Sequence, residues 1–544
     1  MAELSRARVS GLFVFLVWCL LRSFFNTPLY SSLFEFLKLM SYAMFFSLLS
    51  ISSAKVQLKF FGWLVICLGA LETGRLVFNF GRLGNMGGFL QGNPGYSALL
   101  IGAGLLFSSA YFASLEDWDK KKWMALAAIP LLLAGLFLTR SRSGILGTFV
   151  GLSFILPKQR RSQFLLIFML CAAAAVHARV DFLKIDPENA SHSFGRLLIW
   201  KTALMSLGKH WLVGYGLGNF EAAYRLFAQP ADAILKYELT TSFAHNDLLQ
   251  IAVETGILGL SFFLYGLWRM TRPSLFPNDS SWEKKGALGV FFLFLIFSMF
   301  NFSYFLPLTG LLLSGSCALL FSAGGSEPPE LPRSLKWTGG FFLAACCLFA
   351  GLSGLSDFFV DRGNLKKAAW LMPLRADIGV QRAQVETQGE EAARLLEKSL
   401  FWDSRDPFVW SRLARTLLRV PGTSLEKIQR DFNEAEELSP KHAPFWLDDG
   451  FFHLQLKDLA GAKILFKKAV HLEPNSALPY FGLGMAFYAE HDNEKAAAFL
   501  RKAIELKDRN YPLVSRTPYA EFLFSIDSAR TKLLISKIEK SPLL

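Results

Sequence analysis

Apolar residues along the chain fall into two regimes. Up to about Leu355 they run in near-continuous blocks parted by short polar connections; beyond it the chain turns charged. Eleven blocks can be drawn, over 9–26, 28–50, 58–79, 95–115, 123–139, 143–157, 162–178, 248–268, 286–303, 305–322 and 336–356. A straight membrane helix needs about 20 apolar residues, so the shorter blocks reach a full span only with their flanks. The pattern predicts an all-α protein of two parts: a polytopic membrane domain of about 11 spans over 1–358, and a soluble helical domain over 359–544.

The soluble part has a period. Trp446, Gly450, Ala462, Phe466, Ala469 and Pro474 return 34 residues later as Tyr480, Gly484, Ala496, Leu500, Ala503 and Asp508, with the closing proline lost. A looser copy precedes them, with Trp410, Leu413, Phe432, Ala435 and Pro440 and an insertion near Pro421–Thr423. A degenerate helix pair is expected around Glu390–Leu400. Small residues where paired helices cross, and large ones filling the gaps, are the logic of a helix–turn–helix array. The stretch Arg405–Asp508 resembles tetratricopeptide repeats. That resemblance implies a concave face suited to a protein or peptide partner.

Charge refines the membrane half. The net charge is +13, but no nucleic-acid recognition motif accompanies it, and the basic residues gather in alternate short loops. These loops hold Arg6 and Arg8; Lys55 and Lys59; Lys120–Lys122; Lys158, Arg160 and Arg161; Arg269, Arg272, Lys284 and Lys285; and Arg333 and Lys336. The positive-inside rule makes them cytoplasmic, so the N-terminus is expected inside and everything after about residue 357 outside. The N-terminal apolar run lacks a small-residue cleavage site and reads as an uncleaved first membrane helix. All six cysteines lie in apolar segments, with neither zinc spacing nor a disulfide framework.

The same assignment puts four segments on the outer face: 81–95, the TRSRS turn, the long connection 179–244, and the soluble domain. Arg140 and Arg142 sit there against the charge rule, so an anion nearby or a local carboxylate is expected beside them. Two residues apart, they would point to nearly opposite sides of a helix, and one of them is expected to face the site. Arg196 lies in an expected amphipathic surface helix whose apolar stripe is Leu197, Ile199, Trp200 and Leu204. Arginine suits a diphosphate because its planar fork donates paired hydrogen bonds and stays charged.

His245 stands just before an apolar helix, where a neutral imidazole can take a proton from a hydroxyl. Asn246, Gln250 and Glu254 follow four residues apart as one polar stripe. Such a stripe in a membrane helix should face protein or a cavity. Glu254 is a candidate partner for an arginine, and Gly256 and Gly259 for close helix packing. With Arg142 and Asn93, the stripe makes up the candidate substrate-binding set; His245, Arg196 and Arg140 are the candidate catalytic set.

RSRSG, FGRLLIWKTAL, GYGLGNF and AHNDLLQIAVETGILGL resemble, in order, the motifs of the O-antigen ligase and polymerase superfamily. GGFLQGNPGYSA (Gly87–Ala98) resembles its glycine–asparagine–proline loop, with Gly95 where a second asparagine is common. The resemblance spans 87–321 and includes a large outer loop over 179–247. It implies a C-type, metal-independent, inverting membrane glycosyltransferase without cofactor. The donor it implies is a polyprenyl diphosphate-linked glycan, and the acceptor a hydroxyl of lipid A core, of another glycan or of a protein. His245 would activate that hydroxyl, while Arg140 or Arg142 and Arg196 would hold the diphosphate. The first outer loop, about Phe24–Leu29, has no carboxylate pair for a divalent cation. A flippase for the same lipids would place its polar residues at the bilayer midplane and show repeat symmetry, which the membrane half lacks. A scaffold would leave the outer-face motifs unused.

Overall fold

The structure, a computed structural model, describes residues 2–24, 29–51, 55–83, 94–118, 120–156, 159–165, 167, 169, 187–228, 241–272, 281–321, 333–513 and 517–540. Among the described residues the chain is helical and contains no strand. Asn93, most of the expected block 162–178 and the loop 229–240 lie outside them.

The first part comprises α1 (Ala2–Phe24), α2 (Leu29–Ile51), α3 (Lys55–Leu83), α4 (Pro94–Ser114), α5 (Lys120–Leu138), α6 (Arg142–Ile155), α7 (Pro187–Lys209), α8 (Phe220–Phe227), α9 (Asp247–Thr271), α10 (Trp282–Ser298), α11 (Pro307–Phe321) and α12 (Arg333–Asp361). Among the described residues, four stretches are long and apolar enough to cross a membrane: Leu29–Ser50, Lys59–Asn79, Gly95–Ser114 and Asp247–Arg269. Shorter apolar helices over Leu12–Ser23, Lys122–Leu138, Arg142–Ile155 and Pro307–Phe321 stand with them. The expected block 286–303 begins and ends early, because α10 stops at Ser298 and the chain turns through Asn301 into a short 3-10 turn, Ser303–Phe305.

Helix α4 is the centre of this half. Its residues 96–108 are nearly all buried, and α3, α5, α6 and α10 pack round it. Its small residues permit this: a Cβ at Gly104 would lie 3.3 Å from the Val65 carbonyl. Close backbone approach is how helices associate where lipid offers no hydrophobic gain.

The second part is an array of helix pairs. After α13 (Leu365–Leu371) come α14 (Ala376–Val385), α15 (Gly389–Trp402), α16 (Pro407–Leu417), α17 (Leu425–Leu438), α18 (Ala443–Gln455), α19 (Leu459–Leu472), α20 (Leu478–Ala489) and α21 (Asn493–Asn510). The period is physical. A Cβ at Gly450 would sit 2.7 Å from the Phe466 ring, and one at Gly484 would sit 2.7 Å from Leu500. Ala462, Phe466 and Ala469 are fully buried, as are Ala496, Leu500 and Ala503. The turns repeat as well. Lys457 and His491 both take positive φ (61° and 66°), and Asp458 and Asp492 cap the next helices by accepting from Gly461 and Lys495 N–H.

Two details depart from a perfect period. Asp508 lies inside α21, which runs on to Asn510 because no proline stops it there. The stretch 390–400, expected to hold a degenerate pair, is the single helix α15; its partner α14 lies before it, and the two meet where Gly379 faces Ser399. Beyond the repeats, α22 (Pro518–Leu523) packs on α18 and α20 and α23 (Ser528–Lys540) on α21, burying Leu523, Ile535 and Ile538 and closing an array that would otherwise expose its last apolar face.

Candidate active site

The site begins with a broken helix. Gly256 in α9 has φ 71° and ψ 178°, so α9 is two helical segments joined by one extended residue. A break inside an apolar helix leaves carbonyl and N–H groups that must find partners away from water. Here they do. Val253 and Glu254 carbonyls accept from Tyr215 and Gly216 N–H (2.9 and 2.7 Å), and Trp18 Nε1 donates to the Thr255 carbonyl at 2.9 Å. In return Ile257 and Leu258 N–H donate to the Trp211 and Leu212 carbonyls. The GYGLG and ETG motifs are therefore the two sides of one backbone junction. Gly256 is a conformational break as well as the close contact expected of it, since a Cβ there would run into the Leu212 carbonyl and the Val213 nitrogen.

The polar stripe serves the same junction. Asn246 caps α9, accepting from Leu249 N–H at 3.0 Å. Gln250 accepts from Ala244 N–H and donates to Glu254 Oε1, whose Oε2 accepts from Gly218 N–H at 3.0 Å. Gln250 and Glu254 are each only 1% exposed. The expected arginine partner of Glu254 is not found among the described residues; a backbone N–H and an amide take that place.

These bonds fix the segment 243–247 and hence His245, which takes a left-handed φ of 52°. Trp200 Nε1 donates to the Ala244 carbonyl at 3.0 Å, and the Asp247 carboxylate accepts from Ser303 Oγ at 2.7 Å and Tyr304 N–H at 3.3 Å. Phe302 is the hub. It stacks on Phe243 at 4.1 Å, meets the His245 ring edge-on at 5.1 Å and lies 5.3 Å from Tyr96. Next to it Asn301 Nδ2 donates to Ser143 Oγ at 2.9 Å, which ties the TRSRSG turn to the same loop.

Two arginines share this field. Arg196 on α7 is half-buried; burial holds its guanidinium below the usual range, Tyr96 acts against this and Arg142 adds to it. Arg196 has no carboxylate partner among the described residues. Burial, and then the Arg196 charge, pushes the His245 imidazole down to about 4. The ring is thus neutral at neutral pH, beside cations.

Arg140 sits in a left-handed turn (φ 53°), and Arg142 opens α6 behind its Ser141 cap. Both are exposed, but Arg142 is the one in the field of Arg196. The expected stripe on α7 splits. Leu197 and Leu204 are 56% and 58% exposed, whereas Trp200 turns inward to hold Ala244. Sequence reasoning missed Tyr96, Asp247 and the loop Asn301–Tyr304. The signal was available: a polar Asn301 and Ser303 interrupt an aromatic run, and Asp247 belongs to the AHND motif itself. Among the described residues no group of three or more His, Cys, Asp or Glu side chains is arranged to hold a metal ion.

Comparison with known proteins bears on this geometry. Residues 126–264 match the O-antigen ligase family model. The matched stretch holds the TRSRSG turn, Arg196, the junction and His245 in one domain. Together with the apolar helices, the match supports an integral membrane enzyme of the ligase and polymerase type, and the matched family implies a lipid-linked glycan donor and an acceptor. No curated protein matches the chain. Among solved structures, MamA is 14% identical, with a TM-score of 0.27 over 31% of this chain and 98% of its own. PilF of Pseudomonas aeruginosa is 22% identical (TM-score 0.25; 36% and 93%), and yeast Tom70 12% identical (TM-score 0.24; 86% and 95%). The repeat architecture stands on the 34-residue recurrence of contacts described above, independently of these likenesses.

Proposed function

We propose that the protein transfers a glycan from a polyprenyl diphosphate carrier to an acceptor hydroxyl, at the outer face of the bacterial cytoplasmic membrane. The observation that carries this reading is a neutral imidazole, His245, held beside a half-buried arginine that has no carboxylate partner among the described residues. Arg196 and Arg142 bind the diphosphate. His245 takes the proton of the acceptor hydroxyl as its oxygen attacks the anomeric carbon. The carbon–oxygen bond to the diphosphate breaks, and the arginines stabilise the charge that leaves with it. Direct displacement inverts the anomeric centre, and no step calls for a metal ion. Arg140 assists capture of the anion, and Asn93, outside the described residues, is a further candidate for substrate binding. Asn246, Gln250 and Glu254 position His245.

Loop charge supports an outer-face site and a cytoplasmic N-terminus. The repeat array, residues 359–544, lies on the same side as the site. Arg405 Nη1 donates to the Tyr215 carbonyl at 3.3 Å, and Arg225 lies over the Phe408 ring. Ligase, polymerase and protein glycosyltransferase share this chemistry and differ in the acceptor.

The test is transfer by purified full-length protein in lipid. His245→Ala should lower the rate by about 10²- to 10⁴-fold with folding intact. Arg196→Lys should lower it by about 10²-fold, because lysine loses the bidentate contact. Full activity of His245→Ala overturns the reading. The pH profile gives a second check. Because His245 must be neutral to act and its folded value lies near 4, kcat/KM should hold as pH falls through 6.5 and drop only near 4. Bound diphosphate brings negative charge beside the ring, so the acid limb in kcat should lie higher.

A further inference from the structure

Between the membrane half and the first helix pairs lies a cavity of about 460 Å³. Its wall includes Ser242 and Phe243, immediately before His245, together with Gly218 and Glu254 of the junction. The repeat array closes the other side through the start of α14 and the end of α15.

The wall has two kinds of surface. Tyr30, Phe34, Phe243 and Trp402 supply aromatic faces. Six lining side chains are carboxylic acids against one cation, Arg375. Arg375 is itself bridged by Asp357 and Asp377, and Glu221 accepts from Ser242 Oγ at 2.9 Å. Two buried polar atoms of the lining residues, Trp402 Nε1 and Glu35 Oε2, have no hydrogen-bond partner among the described residues. An unpaired buried donor and acceptor are costly unless a ligand or water meets them. Aromatic planes with fixed carboxylates suit a saccharide, whose C–H faces stack on rings and whose hydroxyls donate to carboxylates. The sign of the wall decides which saccharide. Glu35 is paired with Lys38, Glu221 with Arg225, and Asp357 and Asp377 with Arg375, so a diphosphate would meet only cations already bridged to carboxylates here, while the arginines on the other side of His245 attract it.

We propose that this cavity is the acceptor subsite, and that it takes a saccharide without phosphate, uncharged or amine-bearing. His245 then stands between a cationic donor side and an acidic acceptor side. The repeat array is part of the acceptor site, since Trp402 and Asp403 come from it. The word acceptor rests on the transfer reading above; the binding of a sugar does not.

The experiment is direct binding to the full-length protein in lipid, read by saturation-transfer NMR and tryptophan fluorescence. The probes are trehalose, a glucosamine disaccharide and trehalose 6-phosphate. The first two should bind, and the phosphorylated sugar at least tenfold more weakly. Trp402→Ala should weaken trehalose at least tenfold, and Trp402→Tyr should retain it, which separates stacking from misfolding. In the transfer assay Trp402→Ala should raise the acceptor KM at least tenfold and leave the donor KM within twofold. Equal binding of trehalose 6-phosphate, no binding of trehalose, or a rise in donor rather than acceptor KM overturns the subsite. If trehalose binds as expected but His245→Ala keeps full transfer, the cavity stands and the catalytic reading falls.

Discussion

The junction at Gly256 and the crossing at Gly450 use the same residue for opposite ends. In the repeat array Gly450 stays helical, and its missing Cβ lets Phe466, sixteen residues on, fill the crossing. In the membrane half Gly256 stops being helical, and the backbone it frees is satisfied from Trp18, Trp211, Leu212, Tyr215 and Gly216. The first arrangement is local and recurs every 34 residues. The second joins pieces of chain from about forty to 237 residues apart, occurs once among the described residues, and fixes the segment bearing His245. Stability in the array is spread over many equivalent contacts, whereas at the site it is concentrated in one junction.

The largest effect should therefore come from Gly256→Ala. A Cβ there has to occupy a φ that side chains rarely adopt, at about 1–3 kcal/mol, and it meets the Leu212 carbonyl and the Val213 nitrogen. We expect more than about 4 kcal/mol in all, and loss of both monodisperse protein and transfer. Wild-type elution with wild-type transfer would show that the two segments of α9 can merge into one helix, and would break the comparison.

Gly450→Ala should cost less. It overpacks the Phe466 ring, at about 1–3 kcal/mol, and the ring can shift. Hydrogen exchange should quicken in α18 and α19 while the amides of α9 keep their protection. Equal quickening in both halves would mean that the array is not energetically local.

The contrast also explains what the sequence disclosed. The 34-residue spacing exposed helix pairs, crossings and an insertion, because each signal lies within one repeat of its partner. Helices and their order in the membrane half were legible from apolar blocks, and His245 and Arg196 from polar residues in apolar surroundings. What stayed hidden depends on distant contacts. Glu254 read as an arginine partner because spacing shows a face but not what meets it; Gly218 N–H meets it. Gly256 read as a packing residue because a glycine in an apolar run gives no sign of its φ. Asn301–Tyr304 read as the end of a span because α10 stops only where Asp247 and Ser143 offer partners.

The smallest effects give the sharpest comparison, because one hydrogen bond occurs in both halves. Trp446 Nε1 donates to the Pro440 carbonyl at 3.0 Å in a turn of the array, and Trp18 Nε1 donates to the Thr255 carbonyl at 2.9 Å beside the break. Phenylalanine at either position keeps a ring and removes the donor. At the turn, water can replace the indole, so Trp446→Phe should cost only about 0.5–1 kcal/mol. Within the apolar half the Thr255 carbonyl would be left without a partner, and Trp18→Phe should cost about 1–3 kcal/mol. Trp18→Phe should also slow transfer severalfold, since the junction positions His245, whereas Trp446→Phe should leave the rate unchanged. Parallel unfolding and transfer assays of the two variants check this. If Trp18→Phe is as mild as Trp446→Phe in both, the broken helix does not depend on its remote partner, and the concentration of stability at the site is refuted.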